Sequence, residues 1–235
     1  LPIFSYYQTM IIYGKQLFLH IIKNYKKGVK TVYLAKECDK ALFSQIVGVG
    51  APIKRVDNQK AQALAHGGNH QGFLAEVEEF EFKSIDEIKK QNFIAVLYGL
   101  NDVGNIGAIV RTAHALGCGG IVVVAKNLAM EGVLRASSGA AYEANIALVE
   151  DGLSLLNELK QVGFKIYATA SGGKNAHEVK FNQKVALVMG SEGEGLHKKV
   201  LAKSDEIVGI KMKNDWDSLN VSAAFAILCD RIINE

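Results

Sequence analysis

Apolar residues recur at Leu17, Leu19, Ile21, Ile22 and Tyr25 with lysines between them, a spacing that predicts a helix over residues 13–26 ending at Gly28. Residues 31–34 then read as a short strand, 41–47 as a helix, 53–56 as extended chain and 60–65 as a helix. The Gly67-Gly68 turn leads into a strand over 70–77. Helix and strand alternate over this stretch, so residues 10–80 are expected to form a compact α/β domain. The nine residues before Met10 carry no such pattern and are set aside as a leader or tail.

Charges dominate around residues 81–92, read as a linker in which Ser84 caps a short helix through Ile88. Beyond it, residues 93–98, 120–124, 165–169, 185–189 and 206–210 are β-rich. Most of these runs are continuously apolar, as in strands covered on both faces. Helical patterns over 108–116, 153–162 and 221–233 fall among them. The alternation predicts a second α/β domain over 93–235 with a parallel sheet and a ligand site beyond the strand carboxyl ends.

Composition narrows the class. With 235 residues, 49% hydrophobic and 22% charged, the chain is ordinary globular material. Its longest apolar runs fall far short of the roughly 20 residues that cross a bilayer, so no membrane partner is expected. Cys38, Cys118 and Cys229 are odd in number and far apart in sequence, which suggests neither a disulfide framework nor a metal site. A cytoplasmic location with reduced thiols is the expectation. Formal charge is +3, unevenly spread: residues 1–80 hold ten Lys and Arg against six Asp and Glu, a net of +4 that leaves −1 for the remainder. That basic excess fits RNA as well as a merely solvated surface, and the charge alone does not choose between them.

Three loops carry candidate chemistry. Gly190-Ser-Glu-Gly-Glu-Gly195 follows an apolar strand directly and places three glycines where backbone passes close to a ligand. Its spacing approaches that of a phosphate-binding P-loop, but Leu196 and His197 stand where Lys and Ser or Thr are required. A nucleotide-dependent enzyme therefore has little support, and neither has a dinucleotide site, since no G-x-G-x-x-G opens the first strand–helix unit. Asn101-Asp-Val-Gly-Asn-Ile-Gly107 follows another strand and leads into a helix bearing Arg111. Asn105 and Arg111 are six apart, so they face one sheet edge only if Asn105 lies in the loop before the helix. The third loop runs through Ser218 and Asn220 into the final helix, with Ser218 a candidate N-cap.

In this order, DVGNIGAIVRTAHALG, LVMGSEGEGL and DSLNVSAAFAIL resemble the three motifs of the SpoU family of RNA ribose methyltransferases, in the SPOUT superfamily. The segment Arg135-Ala-Ser-Ser-Gly-Ala140 is similar to the family's small-residue stretch. The N-terminal segment, with YGKQLFLHII and HQGFLAEV, is similar to its ribosomal-protein-like substrate-binding domain. Val103 and Lys211 stand where the family has proline. The resemblance implies an α/β chain with a small N-terminal substrate-binding domain and a C-terminal trefoil-knotted domain with a mostly parallel sheet. It implies a homodimer and methylation of a ribose 2'-hydroxyl in RNA from S-adenosylmethionine. A guanosine of 23S rRNA is the implied target, with tRNA or a non-catalytic RNA-binding role as alternatives, and neither metal nor DNA is implied.

By the same resemblance, the cofactor is held around Thr169, Gly190, Ile210, Met212, Leu219 and Asn220. The catalytic set is Asn105, Arg111, Glu192, Ser218 and Asn220. A guanidinium with a pKa above about 12 is a poor base. Arg111 is therefore expected to bind the neighbouring phosphate and stabilise the nascent alkoxide, while Asn105, Glu192 and Ser218 orient it and the ribose. His66, His70 and His114 receive no role.

Overall fold

The computed structural model describes residues 9–191, 193–213 and 218–235. The chain divides into two compact units. The first runs to Glu81 and also takes in Met130–Gly139, and the second comprises Phe82–Ala129 and Ala140–Glu235.

In the first unit the order is β1 (Thr9–Tyr13), α1 (Lys15–Asn24), β2 (Val29–Leu34), α2 (Lys40–Val47), β3 (Ile53–Arg55), α3 (Asn58–Leu64) and β4 (Phe73–Glu78). The sheet order is β1-β4-β2-β3, with β2 and β3 parallel and the other pairs antiparallel. Thr9, the last residue of the expected leader, opens β1 and pairs with Glu78. Tyr13 ends that strand instead of starting the helix. Gly14 makes the junction at φ 95°, a conformation that favours glycine, so the helix begins without a polar cap. Asp39 and Asp57 cap α2 and α3, accepting from Leu42 N at 2.8 Å and Lys60 N at 2.7 Å. Leu17, Phe18, Ile21 and Ile22 put one face of α1 in the core, where the rings of Phe18 and Phe73 lie 5.3 Å apart. Ala61 and Ala65 pack with Tyr33 and Leu74. The helix Met130–Ala136 packs against β1, and its Arg135 guanidinium lies 4.8 Å from the Tyr13 ring centroid and donates to the Tyr13 hydroxyl.

The second unit holds α4 (Ile85–Ile88), β5 (Phe93–Tyr98), α5 (Val103–Leu116) and β6 (Gly120–Val124). After α6, the helix Met130–Ala136 already described, come β7 (Ile146–Val149), α7 (Gly152–Gln161), β8 (Lys165–Asn175), β9 (Val185–Met189), α8 (Lys198–Lys203), β10 (Glu206–Gly209) and α9 (Val221–Ile233). Its six strands run β10-β8-β9-β5-β6-β7, every pair parallel. Ile94, Val96, Val122, Ile166, Ala186 and Val188 pack with Leu155, Leu156 and Leu159 of α7 and Val200 of α8. The helices α5 and α9 contribute nothing to that cluster and pack against each other.

Within the expected linker, Ser84 and Glu87 form a reciprocal capping box around α4. The helix exists because Ile88, fully buried, joins the core of the second unit. Ile88→Ala is expected to cost about 2–5 kcal/mol in chemical denaturation, as for other buried large-to-small changes; a loss below about 0.5 kcal/mol, typical of surface positions, would mean that this segment only connects.

Glu206 accepts from Lys165 Nζ at 3.0 Å and lies 3.6 Å from Lys174 Nζ, tying β10 to β8. The hydrogen bond from Lys165 holds its carboxyl below the usual range against the opposing effect of burial. A depressed folded-state pKa stabilises the fold above the unfolded value, and that contribution disappears as pH falls through the depressed one. Glu206→Gln should therefore make stability less sensitive to acidification in this window, as read from thermal melts at stepped pH.

Candidate active site

The carboxyl ends of β8, β9 and β10 lie side by side, and their loops enclose a cavity of about 930 Å³. Its opening originates in the β8–β10 ladder. Ala168 pairs with Ile207, but the next pair is Lys174 with Val208, so Thr169–Gly173 leave the ladder as a five-residue bulge. Thr169 anchors the base of this bulge by donating from Oγ1 to the Val188 carbonyl at 2.9 Å.

Backbone then meets backbone. A Cβ on Gly173 would stand 2.6 Å from the Val208 carbonyl carbon, and one on Gly209 would stand 2.7 Å from the Ala170 oxygen. A Cβ on Gly190 would be 2.6 Å from the Gly195 carbonyl carbon, where Gly195 N bonds back to the Ser191 carbonyl at 3.0 Å. The glycine-rich loop is thus a closed turn whose two ends touch. The glycines of this site answer a packing demand that larger residues cannot meet.

Of the expected cofactor contacts, Thr169, Gly190, Ile210, Met212 and Leu219 line the cavity, as does Ser218 of the expected catalytic set. Asn220 does not line it. Instead it is the N-cap of α9, accepting from Ser222 N at 3.0 Å, and its Nδ2 donates to Asn105 Oδ1 at 2.9 Å. The cap role expected of Ser218 therefore falls to Asn220. That bond joins the first motif to the third across 115 residues of sequence.

Asn105 is not in a loop. Asp102 caps α5 by accepting from Asn105 N at 2.7 Å, so the helix starts at Val103 and Asn105 lies in its first turn. At about 100° per residue, Asn105 and Arg111 leave the helix roughly 120° apart. The condition for their facing one sheet edge, Asn105 in the loop before the helix, is therefore not met. Arg111 is exposed and outside the cavity lining. Glu192 lies outside the described residues, as does the loop tryptophan, Trp216.

Sequence reasoning missed the far walls: the bulge residues Ala170 and Ser171, and Val221, Ala224 and Leu228 of α9. Ser171-Gly-Gly173 was the available signal, a turn-forming tract directly after a strand. Burial pushes the thiols of Cys118 and Cys229 up to about 12, so both remain protonated and unreactive at neutral pH. Among the described residues, no cluster of His, Cys, Asp and Glu is arranged to hold a metal ion. The cavity instead offers irregular backbone, whose N–H and C=O groups suit the edge of a planar heterocycle, beside apolar side chains that suit its faces.

Residues 92–230 match the SpoU rRNA methylase family, and residues 11–83 match the substrate-binding family of RNA 2'-O ribose methyltransferases. An uncharacterized tRNA/rRNA methyltransferase of Synechocystis is 34% identical over 188 residues, 76% of this chain and 49% of that protein; the match spans about half of that relative's length. A putative TrmH family tRNA/rRNA methyltransferase of Bacillus subtilis is 30% identical over 231 residues, 92% of each chain. A 23S rRNA (guanosine-2'-O-)-methyltransferase of Yersinia pestis is 27% identical over 238 residues, 96% of this chain and 97% of that one. In fold, the chain is similar to the SpoU methyltransferase AviRb of Streptomyces viridochromogenes in complex with AdoMet, with a TM-score of 0.79 at 20% identity over 96% of this chain and 89% of that one. Three loops meeting at one end of a parallel sheet, and a family match over most of the unit that carries them, lead to one conclusion: the chain belongs to the SpoU rRNA methylase family, whose members are S-adenosylmethionine-dependent RNA methyltransferases.

Proposed function

We propose that this protein methylates a ribose 2'-hydroxyl of RNA, with a guanosine of 23S rRNA as the target. The observation that carries the reading is the cavity at the ends of β8, β9 and β10, walled by the loops of two motifs and tied to the third by the Asn220–Asn105 bond. The substrate-binding family matched by residues 11–83 supports the 2'-hydroxyl, and relatives such as the Yersinia enzyme suggest the guanosine. The names of the Bacillus and Synechocystis relatives admit tRNA as well.

The cavity fits S-adenosylmethionine on its own geometry. Gly190 and Gly209 bring backbone where a side chain would stand, leaving amide and carbonyl groups to meet the adenine edge. Ile210, Met212 and Leu219 supply apolar wall, and Thr169 holds the bulge in place. When bound, the cofactor supplies an electrophilic methyl on sulfonium sulfur. The protein must align the ribose oxygen with the methyl–sulfur bond and stabilise charge on that oxygen. Arg111 serves as the phosphate clamp and the stabiliser of charge on the oxygen, its guanidinium remaining protonated; as the O–CH3 bond would form and the S–CH3 bond break to leave S-adenosylhomocysteine, the hydroxyl proton would pass to solvent water. Asn105 and Asn220 hold α5 against the start of α9. Ser218 and Glu192 orient the ribose and Arg111.

The reading also takes residues 10–80 as the RNA-binding domain and 93–235 as the catalytic domain, with a trefoil-knotted C-terminal chain. It makes the protein a homodimer acting on RNA in the cytoplasm. Exposed Ile227 and Ile233 on α9 supply apolar surface for the dimer contact.

The decisive experiment is transfer of labelled methyl from S-adenosylmethionine to unmodified 23S rRNA, with tRNA in parallel. The expected product is 2'-O-methylguanosine in the rRNA digest. Label in tRNA alone would reassign the substrate, and cofactor binding with no transfer to either RNA would leave a binding module. Arg111→Ala should lower kcat by about 100-fold or more while leaving cofactor affinity unchanged. Arg111→Lys should recover little of this, because it keeps charge but not the planar fork; full activity of the lysine variant would refute the bidentate clamp. Gly190→Ala should weaken S-adenosylmethionine binding about tenfold in calorimetry, since the added methyl displaces the Gly190–Gly195 contact.

A further inference from the structure

The carboxyl ends of β2 and β3, in the first unit, carry a cluster that the catalytic reading leaves unused. Arg55, the last residue of β3, is fixed on three sides. Its Nη1 donates to the Lys36 carbonyl and its Nη2 to the Glu37 carboxylate, each at 3.2 Å, and its guanidinium carbon lies 5.8 Å from the Phe43 ring centroid. Phe43 is 38% exposed and Val47, one turn on, 53% exposed, although their neighbours Leu42 and Ile46 are buried. At that exposure Phe43 forgoes roughly a third of the 1.5–3 kcal/mol that full burial of its ring would give.

Lys36, Lys40 and Arg55 are balanced locally by Glu37, Asp39 and Asp57, within a stretch, residues 1–80, that carries a net +4. Lys40 is exposed one turn before Phe43 on α2, and Lys36, also exposed, has its ammonium turned away, 5.0 Å from the Phe73 ring centroid. The nearby acids are committed: Glu37 to Arg55, Asp39 to the N-cap of α2 and Asp57 to the N-cap of α3. An exposed aromatic face beside a hydrogen-bonded guanidinium, with a lysine one helical turn away, is chemistry that holds unpaired nucleic acid. Bases stack on the ring and the guanidinium plane, and ammonium groups take the phosphates. An apolar protein partner would have to desolvate these cations for no return.

We propose that this ledge grips a single-stranded stretch of the RNA substrate: Phe43 and Arg55 stack one unpaired base, and Lys40 contacts a neighbouring phosphate. The proposal rests on the reading of the chain as an RNA methyltransferase and adds to it which residues outside the catalytic domain hold the substrate.

The test uses the full chain and filter binding of unmodified 23S rRNA over a salt series, with S-adenosylmethionine affinity and sedimentation as controls. Phe43→Ala and Phe43→Leu should each weaken RNA binding by about tenfold without changing the salt slope, and Phe43→Trp should restore it. Lys40→Ala should reduce the salt slope by roughly one. Cofactor affinity should be the same in all of them. Wild-type affinity in Phe43→Leu would overturn the proposal, because an aliphatic side chain cannot replace a stacking face. So would a fall in oligomeric state with Phe43→Ala, which would make the patch a contact between copies. RNA binding that depends on Phe43 in a protein that transfers no methyl would sink the catalytic reading and leave the ledge standing. Methyl transfer with an unchanged KM for RNA in Phe43→Ala would do the reverse.

Discussion

The site depends on how closely three stretches of backbone can approach one another. Five residues leave the β8–β10 ladder after Ala168, and the strands can resume pairing at Lys174 only because Gly173 presses on Val208 and Gly209 on Ala170. The turn after β9 closes by the same means, Gly190 against Gly195. Each contact is below the separation that any Cβ tolerates, so the cavity and the absence of side chains at these positions have one cause. The parallel sheet brings the three loops to one end, and the glycines then decide how tightly they converge.

That division explains how much could be read from the chain. The strands β5, β6 and β9 are covered on both faces, so their apolar runs are uninterrupted and their limits, Phe93–Tyr98, Gly120–Val124 and Val185–Met189, match the expected ones. The final helix, Val221–Ile233, likewise follows its apolar pattern. The short elements left weaker traces. β7 is four residues long, α8 six, and α6 carries an internal glycine, Gly132. β1 was hidden because Gly14 turns strand into helix without a capping residue. In α5, two glycines in the first two turns, Gly104 and Gly107, looked like loop, and the Asp102 cap that starts the helix was read as part of that loop.

The site was legible to the extent that local chain carries it. Gly190, Ile210, Met212, Ser218 and Leu219 sit in or beside the tracts that carry the resemblance to the SpoU motifs, and they meet at the cavity. The Asn105–Asn220 bond and the Thr169–Gly173 bulge are tertiary facts: a partner 115 residues away and a register shift have no local signature. Arg111 marks the limit from the other side. Its helix was expected, but its direction depends on where that helix begins, and a start five residues earlier than the periodicity suggested turns Asn105 and Arg111 away from each other.

The helix Met130–Ala136 leaves the first unit discontinuous in the chain. Val133 and Leu134 are buried, Arg135 covers the Tyr13 ring, and Gly139, at φ 91°, leaves no room for a side chain against His20. A cut after Glu81 would therefore release a fragment missing one of its own walls. The N-terminal module is not a detachable cassette: a graft onto another methyltransferase domain must carry the distant decapeptide with it, and recombination at a single crossover cannot exchange it intact. The two units are in this way inherited together, although their sequences look separable.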